Sequence, residues 1–272
     1  MRVGIVTIPR DPPPGKTMIE QVTALARKVE DLGFHGLWIT DAFARGRPTL
    51  DPYTLLGALC AVTSRIELGT CVVQVPIRHP VEHAHRAQTV NLLSNGRLRL
   101  GVGTGSTKHD FDAVQADYET RFKVLPGMLA DMQKVWAGEP VHGPALSVWP
   151  GTEGGPPVML GAWRSQRWIN LAASLQGWIA SGIHSTWEDV DIGLKMYRAA
   201  GGKRAIVANI FADFRPNPAP TVVNRHLTIS LICSQAEARE RLKRLEQMGI
   251  DDALVVVPFD DPDQLEIIRG LI

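Results

Sequence analysis

Short runs of apolar, often β-branched residues alternate along the chain with longer segments whose apolar positions recur every three or four residues. Residues 3–8 form the first run, and residues 17–32 form the first long segment, which ends at Gly33. A continuous apolar run is typical of a parallel strand covered on both faces, and a period of three to four predicts an amphipathic helix. This alternation predicts parallel strands joined by right-handed helical crossovers.

The pattern contains eight strand–helix pairs. Strands are predicted at residues 3–8, 36–40, 66–75, 97–102, 158–160, 178–180, 205–211 and 253–257, and helices at 17–32, 52–63, 81–93, 128–136, 166–175, 187–200, 235–248 and after Pro262. Eight pairs favour a closed (β/α)8 barrel, the TIM barrel of the α/β class, over an open sheet. A chain of 272 residues fits one such barrel, so we predict a single domain over residues 1–272.

Composition narrows the possible partners and location. The formal net charge is +1 and no run of Lys or Arg occurs, which argues against nucleic acid or a membrane surface as a partner. Three widely spaced cysteines form neither a disulfide framework nor a C-x-x-C zinc motif. The first apolar run is too short for a signal-peptide core, so the expected location is the cytoplasm.

Active sites of parallel barrels lie at the carboxyl ends of the strands, and two strand ends here suit a phosphate. Glycines 101, 103 and 105 at the fourth strand would let backbone approach a ligand closely, although a glycine-rich barrel corner explains them equally well. Residues 161–167 run from a strand into a helix and carry Arg164, Ser165 and Arg167. An ordinary capped helix with solvated arginines is the alternative.

A cluster after the third strand invites a metal-site interpretation. His79, Glu82 and His83 have ligand chemistry, so a metal-dependent barrel hydrolase is one alternative function. However, Pro80 starts the helix and leaves His79 outside it, and the first strand lacks the His-x-His expected of such enzymes. No G-x-S-x-G elbow occurs, which argues against a nucleophilic hydrolase.

Four segments together resemble the bacterial luciferase-like monooxygenase superfamily, whose members use FMN or the deazaflavin F420. They are GFHGLWITD at 33–41, LGTCVVQVPIRHP at 68–80, LSNGRLRLGVGTG at 93–105, and PVMLG at 157–161 leading into a helix. The resemblance implies a flavin-dependent oxidoreductase of the monooxygenase type that acts on a small organic substrate. It further implies a homodimer and a possible separate flavin or F420 reductase as partner.

The resemblance also implies a set of cofactor contacts. A non-proline cis peptide at the end of the third strand lies under the ring in this family, and the matching bond here is Cys71–Val72. The phosphate is expected between the loops that follow the fourth and fifth strands. The implied cofactor-binding residues are Asp41, Cys71, Val72, Gly103, Thr104, Gly105, Ser106, Gly161, Ala162, Trp163, Arg164 and Ser165.

The chain departs from the family at one catalytic position. Many members have a histidine directly after the acidic residue of the second strand, whereas this chain has Ala42 after Asp41. A methyl group cannot move a proton, so Asp41 and His79 are the predicted catalytic residues, with the loops 138–157 and 213–228 as candidate lids. The loss at Ala42 leaves open a flavin-binding protein without turnover.

Overall fold

A computed structural model describes residues 1–9, 12, 14–46, 48–217, 229–258 and 261–272. The strands are β1 (Arg2–Thr7), β2 (Gly36–Ile39), β3 (Glu67–Thr70), β4 (Val73–Gln74), β5 (Leu98–Gly103), β6 (Val158–Gly161), β7 (Gly177–Ser181), β8 (Ala205–Phe211) and β9 (Asp252–Val256). The helices are α1 (Met18–Asp31), α2 (Pro52–Cys60), α3 (Pro80–Leu93), α4 (Lys108–Ala113), α5 (Arg121–Trp136), α6 (Gln166–Ser174), α7 (Trp187–Ala199), α8 (Gln235–Met248) and α9 (Gln264–Leu271). A 3₁₀ turn at Val75–Ile77 follows β4.

The strands close into a parallel barrel, as the sequence predicted. Their order around the ring is β3-β2-β1-β9-β8-β7-β6-β5, and the pairing of β3 with β5 closes it. Because β4 also pairs with β5, β3 and β4 are two halves of one barrel position, and eight positions result among the described residues. The protein is therefore a (β/α)8 barrel of the α/β class.

Three features differ from the predicted elements. The third strand, predicted as continuous over residues 66–75, is interrupted between Thr70 and Val73. Helix α4 was not predicted. Helix α5 begins at Arg121 instead of residue 128, and Pro126 lies inside it.

Hydrophobic residues pack on both faces of the barrel strands. One layer lies between the barrel and its helices, and the other fills the lumen with alternate strand residues such as Val6, Met159, Ile179 and Leu254. The Trp38 indole lies in the lumen, where a Cβ on Gly69 would overlap its ring. Only glycine leaves room for so large a side chain at that level. No helix among the described residues is long and apolar enough to cross a membrane.

Buried charges fill the amino-terminal end of the lumen. Arg204 forms two hydrogen bonds to Glu67 at 2.7 and 3.0 Å and two to Asp252 at 2.7 and 2.8 Å. Arg99 pairs with the same Glu67 at 2.6 Å, and Arg2 pairs with Asp252 at 2.8 Å. Burial alone would raise the pKa of Glu67, but hydrogen bonds from His35 and Arg204 outweigh it and hold that pKa well below its ordinary value. This layer contributes to stability and not to catalysis, because barrel active sites form at the opposite end.

Candidate active site

An apolar floor lies at the carboxyl end of the lumen. Ile8, Val72 and Phe211 pack on the lumen cluster and remain partly exposed at its top. Phe211 reaches this position because a β-bulge between Val207 and Ile210 adds one residue to β8 and reverses the alternation of its side chains. A partly open apolar surface above a filled barrel suits a flat ring.

The peptide bond between Cys71 and Val72 is cis, as the resemblance predicted. The Val72 side chain lies against two strand-end glycines that the sequence placed in the cofactor site. A Cβ on Gly103 would come within 2.7 Å of Val72 Cγ2, and one on Gly161 within 3.3 Å of Val72 Cγ1. The structure thus brings together three of the expected cofactor residues.

Two further side chains at this level differ in their chemistry. Cys71 is 5% exposed, and burial raises the pKa of its thiol to about 12, so the thiol stays protonated and is a poor nucleophile at neutral pH. Ser181 follows Ile179 by two residues on β7 and therefore faces the lumen. Its hydroxyl is buried without a hydrogen-bond partner within the described structure. An unpaired buried hydroxyl beside the floor is available to a ligand.

Asp41 lies at the end of β2, but its carboxylate is fully engaged. Arg78 donates to its two oxygens at 2.6 and 2.8 Å, and the Gln74 backbone amide donates to one of them at 2.9 Å. The Asp41 side chain is 2% exposed. This geometry fastens the second strand end to the turn after β4, and it leaves the carboxylate little room to meet a ligand directly.

The Asp41 cluster extends to the loop after β5. The Gln74 side-chain amide donates to Asp41 O at 3.2 Å and to Asp110 Oδ2 at 2.9 Å. The other Asp110 oxygen accepts from the backbone amides of Phe43 and Ala44 at 3.2 and 2.8 Å. Asp110 therefore holds the loop after β2 in place from helix α4.

The two loops predicted for a phosphate lie side by side, because β5 and β6 are neighbours in the barrel. Thr104, Gly105 and Ser106 follow β5, and Ala162 to Ser165 follow β6. Ser165 precedes α6, and its hydroxyl makes no capping bond to that helix. Arg164 instead pairs with Asp189 at 2.5 Å, which satisfies its charge away from the loop after β5.

His79 and its neighbours do not form a metal site. His79 is exposed, and its ring centroid lies 5.9 Å from that of His142 in the loop after α5. His83 is fully buried beside Tyr53, and burial together with the charges of Arg78 and Arg86 lowers its pKa to about 3. In the described part of the chain, no cluster of three or more His, Cys, Asp or Glu side chains could hold a metal ion. The hydrolase alternative is therefore not favoured.

The rim of the mouth includes Trp163, which the resemblance placed in the cofactor site, and His184, which the sequence analysis did not single out. Trp163, after β6, is 65% exposed, and its ring centroid lies 6.3 Å from that of His184, after β7. Desolvation lowers the pKa of His184, and the positive charge of Arg45 lowers it further.

Comparison with known families agrees with this geometry. The family model for luciferase-like monooxygenases matches residues 1–248. The chain belongs to this family. The family assignment makes the protein an oxidoreductase of the flavin- or F420-dependent class. An uncharacterized protein of Mycobacterium tuberculosis is 33% identical over 233 residues, which cover 79% of this chain and 72% of the relative.

Solved structures share the fold at low sequence identity. A monooxygenase from Streptomyces bottropensis superposes with a TM-score of 0.83 at 20% identity, covering 100% of this chain and 98% of that one. The coenzyme F420-dependent tetrahydromethanopterin reductase of Methanopyrus kandleri gives 0.74 at 16% identity, with the same coverage. A 3,6-diketocamphane monooxygenase component of Pseudomonas putida, in complex with FMN, gives 0.73 at 14% identity, covering 99% of this chain and 95% of that one.

The residues present fit a flavin-type cofactor. The partly exposed floor of Ile8, Val72 and Phe211 offers an apolar surface to a flat ring. Within the described part of the chain, the buried Ser181 hydroxyl has no hydrogen-bond partner. The neighbouring loops after β5 and β6 provide glycine backbone and an unused Ser165 hydroxyl for a polar tail.

Proposed function

We propose that the protein binds FMN or F420 on the floor and oxidises a small organic molecule at the mouth, in the manner of a monooxygenase. The observation that carries this proposal is the packing of Val72 against Gly103 and Gly161 below an open apolar surface. The family's monooxygenase and F420-dependent relatives support both cofactors as candidates. A homodimer and a separate reductase remain predictions from the resemblance.

In this proposal the chain's own residues position and shield the ring. The bound cofactor supplies the hydride or oxygen chemistry. Cys71, Val72, Gly103 and Gly161 provide the surface beneath it, and the loop residues Thr104, Gly105, Ser106, Ala162, Trp163 and Ser165 surround its tail. Asp41 acts through Arg78 and Gln74, which keep the strand ends in register around the ring.

Proton transfer needs a titratable group within reach of the mouth. The sequence offers Asp41 and His79, and the structure adds His184. The Asp41 carboxylate is bound on both oxygens, and the His79 ring packs on His142. His184 lies beside Trp163 at the rim, and its lowered pKa keeps it neutral at pH 7. We therefore assign the acid/base role to His184.

The proposed function is tested by titrating the purified protein with FMN and with F420 and monitoring binding by fluorescence quenching. One of the two cofactors is expected to bind at one molecule per chain, and its bound form should be oxidised or reduced in a single turnover. Binding without turnover would favour the cofactor-binding protein instead. Failure of both cofactors to bind would refute the proposal.

Replacing His184 by alanine is expected to slow single-turnover oxidation of the bound, reduced cofactor by about a hundredfold, because acid/base groups commonly contribute that much. Affinity for the cofactor should change less than about twofold. Since the pKa of His184 is lowered, the parent rate should decrease only below about pH 6.5, where the imidazole gains a proton. An equal loss of rate in His79→Ala, with none in His184→Ala, would restore the role to His79.

A further inference from the structure

A cavity lies at the amino-terminal end of the barrel, opposite the candidate active site. Its volume is about 390 Å³, and its walls come from the start of β1, the turn between α1 and β2, the residues before β3 and the end of α9. Small-molecule sites commonly measure about 300–1,000 Å³. The cavity is therefore large enough for a small ligand, and the proposed function does not use it.

Positive charge dominates the lining of this cavity. Arg2, Arg65 and Arg269 contribute guanidinium groups, whereas Glu30 contributes the one carboxylate side chain among the described residues that line it. That carboxylate is already engaged, since it accepts hydrogen bonds from the backbone amides of Arg65 and Ile66 at 2.6 and 3.1 Å. Three guanidinium groups therefore line the cavity against one carboxylate that the backbone already binds.

Two of these arginines have no carboxylate partner. Within the described ranges, no Asp or Glu side chain lies within 4.0 Å of the Arg65 or Arg269 guanidinium group, in contrast to Arg2. Arg65 Nη2 reaches only the Glu30 carbonyl, at 3.5 Å. Arg269 passes over the turn at Gly33, where an added Cβ would lie 3.7 Å from its Nη2. Both head groups are exposed and available to an anion.

The cavity also borders the charged layer inside the barrel. Arg2 donates to Asp252 at 2.8 Å, and His35 Nε2 lies 3.3 Å from Glu67 Oε2. Because Arg2 and His35 both line the cavity, a ligand bound there contacts side chains that hold the buried carboxylates in place. A ligand that binds this folded arrangement and not the unfolded chain stabilises the protein.

We infer that this cavity binds a short oligophosphate, either free or as part of a nucleotide. Guanidinium groups bind phosphate oxygens through paired, charge-assisted hydrogen bonds, and several guanidinium groups suit a ligand that carries several charged groups. Arg65 and Arg269 hold the phosphate chain, and Arg2 adds a third donor from β1. The site is separate from the cofactor site at the other end of the barrel, so it does not depend on the proposed function.

Calorimetric titration with pyrophosphate, ADP, adenosine and citrate at constant ionic strength tests the inference. Pyrophosphate and ADP are expected to bind, and adenosine and citrate should bind at least about tenfold more weakly. Arg65→Gln and Arg269→Gln should each weaken pyrophosphate binding by about ten- to hundredfold, as for loss of a charged hydrogen bond. Tighter binding of ADP than of pyrophosphate would support a nucleotide as the ligand, and equal binding would support a free oligophosphate.

Arg244→Gln is the matched control, since Arg244 is exposed on α8 and stacks on Trp187 outside the cavity. It should bind pyrophosphate like the parent, and all three variants should bind the flavin-type cofactor like the parent. Failure of the parent to bind pyrophosphate and ADP would overturn the inference. Parental affinity in both Arg65→Gln and Arg269→Gln, or an equal loss in Arg244→Gln, would do the same. Citrate or adenosine binding as tightly as ADP would exclude an oligophosphate as the ligand.

Discussion

Gly103→Ala is expected to weaken cofactor binding by at least about tenfold. The added Cβ would lie 2.7 Å from Val72 Cγ2, whereas carbon atoms in contact are normally about 3.5–4.0 Å apart. Val72 is β-branched and stiff at χ1, so it cannot swing its methyl group aside at low cost. The floor must change shape, and a loss of about 1.4 kcal/mol corresponds to the tenfold effect. Fluorescence titration with FMN and F420 measures it.

Gly57→Ala is the control for this substitution. Gly57 lies in α2, and a Cβ there would meet no other atom within 4 Å. Its cofactor affinity should equal that of the parent, and its stability should rise by up to about 1 kcal/mol because alanine is the better helix former. Parental affinity in a folded Gly103→Ala would mean that the ring does not lie over Val72.

Arg204→Met is expected to lower the free energy of unfolding by about 3 kcal/mol, because it leaves Glu67 and Asp252 buried with fewer partners. The free energy follows from urea unfolding at pH 7. The folded pKa of Glu67 lies below its ordinary value of 4.5, so the stability contributed by that carboxylate is complete at neutral pH and is lost as the pH falls below about 4.5. The variant should therefore lose less stability than the parent on acidification.

Lys195→Met provides the comparison, since the exposed pair of Lys195 with Asp191 is an ordinary surface salt bridge. Removing it should change stability by less than about 0.5 kcal/mol. If Arg204→Met is as stable as Lys195→Met, the buried charges at the base of the barrel contribute nothing net, and the apolar lumen and outer core must account for the stability.

Most strands and helices of the fold could be predicted from the hydrophobic pattern within single segments. The strand at residues 205–211 and the helix at 235–248 were predicted with the bounds that the structure has, because periodicity within one segment determines each. Helix α5 was predicted to begin at residue 128, whereas it begins at Arg121 and contains Pro126. The loop at 213–228, a predicted lid, lies largely outside the described residues.

The candidate site was predictable only where it follows strand ends. Gly103 and Gly161 are the last residues of β5 and β6, and the Cys71–Val72 peptide follows β3. The resemblance identified all three positions. Phe211 faces the lumen only because of the bulge in β8, and no hydrophobic pattern reveals such an extra residue. The partners of Asp41, Gln74 and Arg78, lie more than thirty residues away in the chain, so no local pattern predicts their contacts.

Among the described residues, the charged layer and Trp38 fill the base of the barrel, so the floor faces the carboxyl-terminal end of the strands. Ligands that enter the lumen from this end also leave from it, and Trp163 and His184 lie on its rim. A ring bound on the floor is therefore covered by whatever binds after it. The order of events follows from this geometry: cofactor enters before substrate, and product departs before cofactor. Steady-state kinetics in which the substrate must bind before the cofactor would contradict this order.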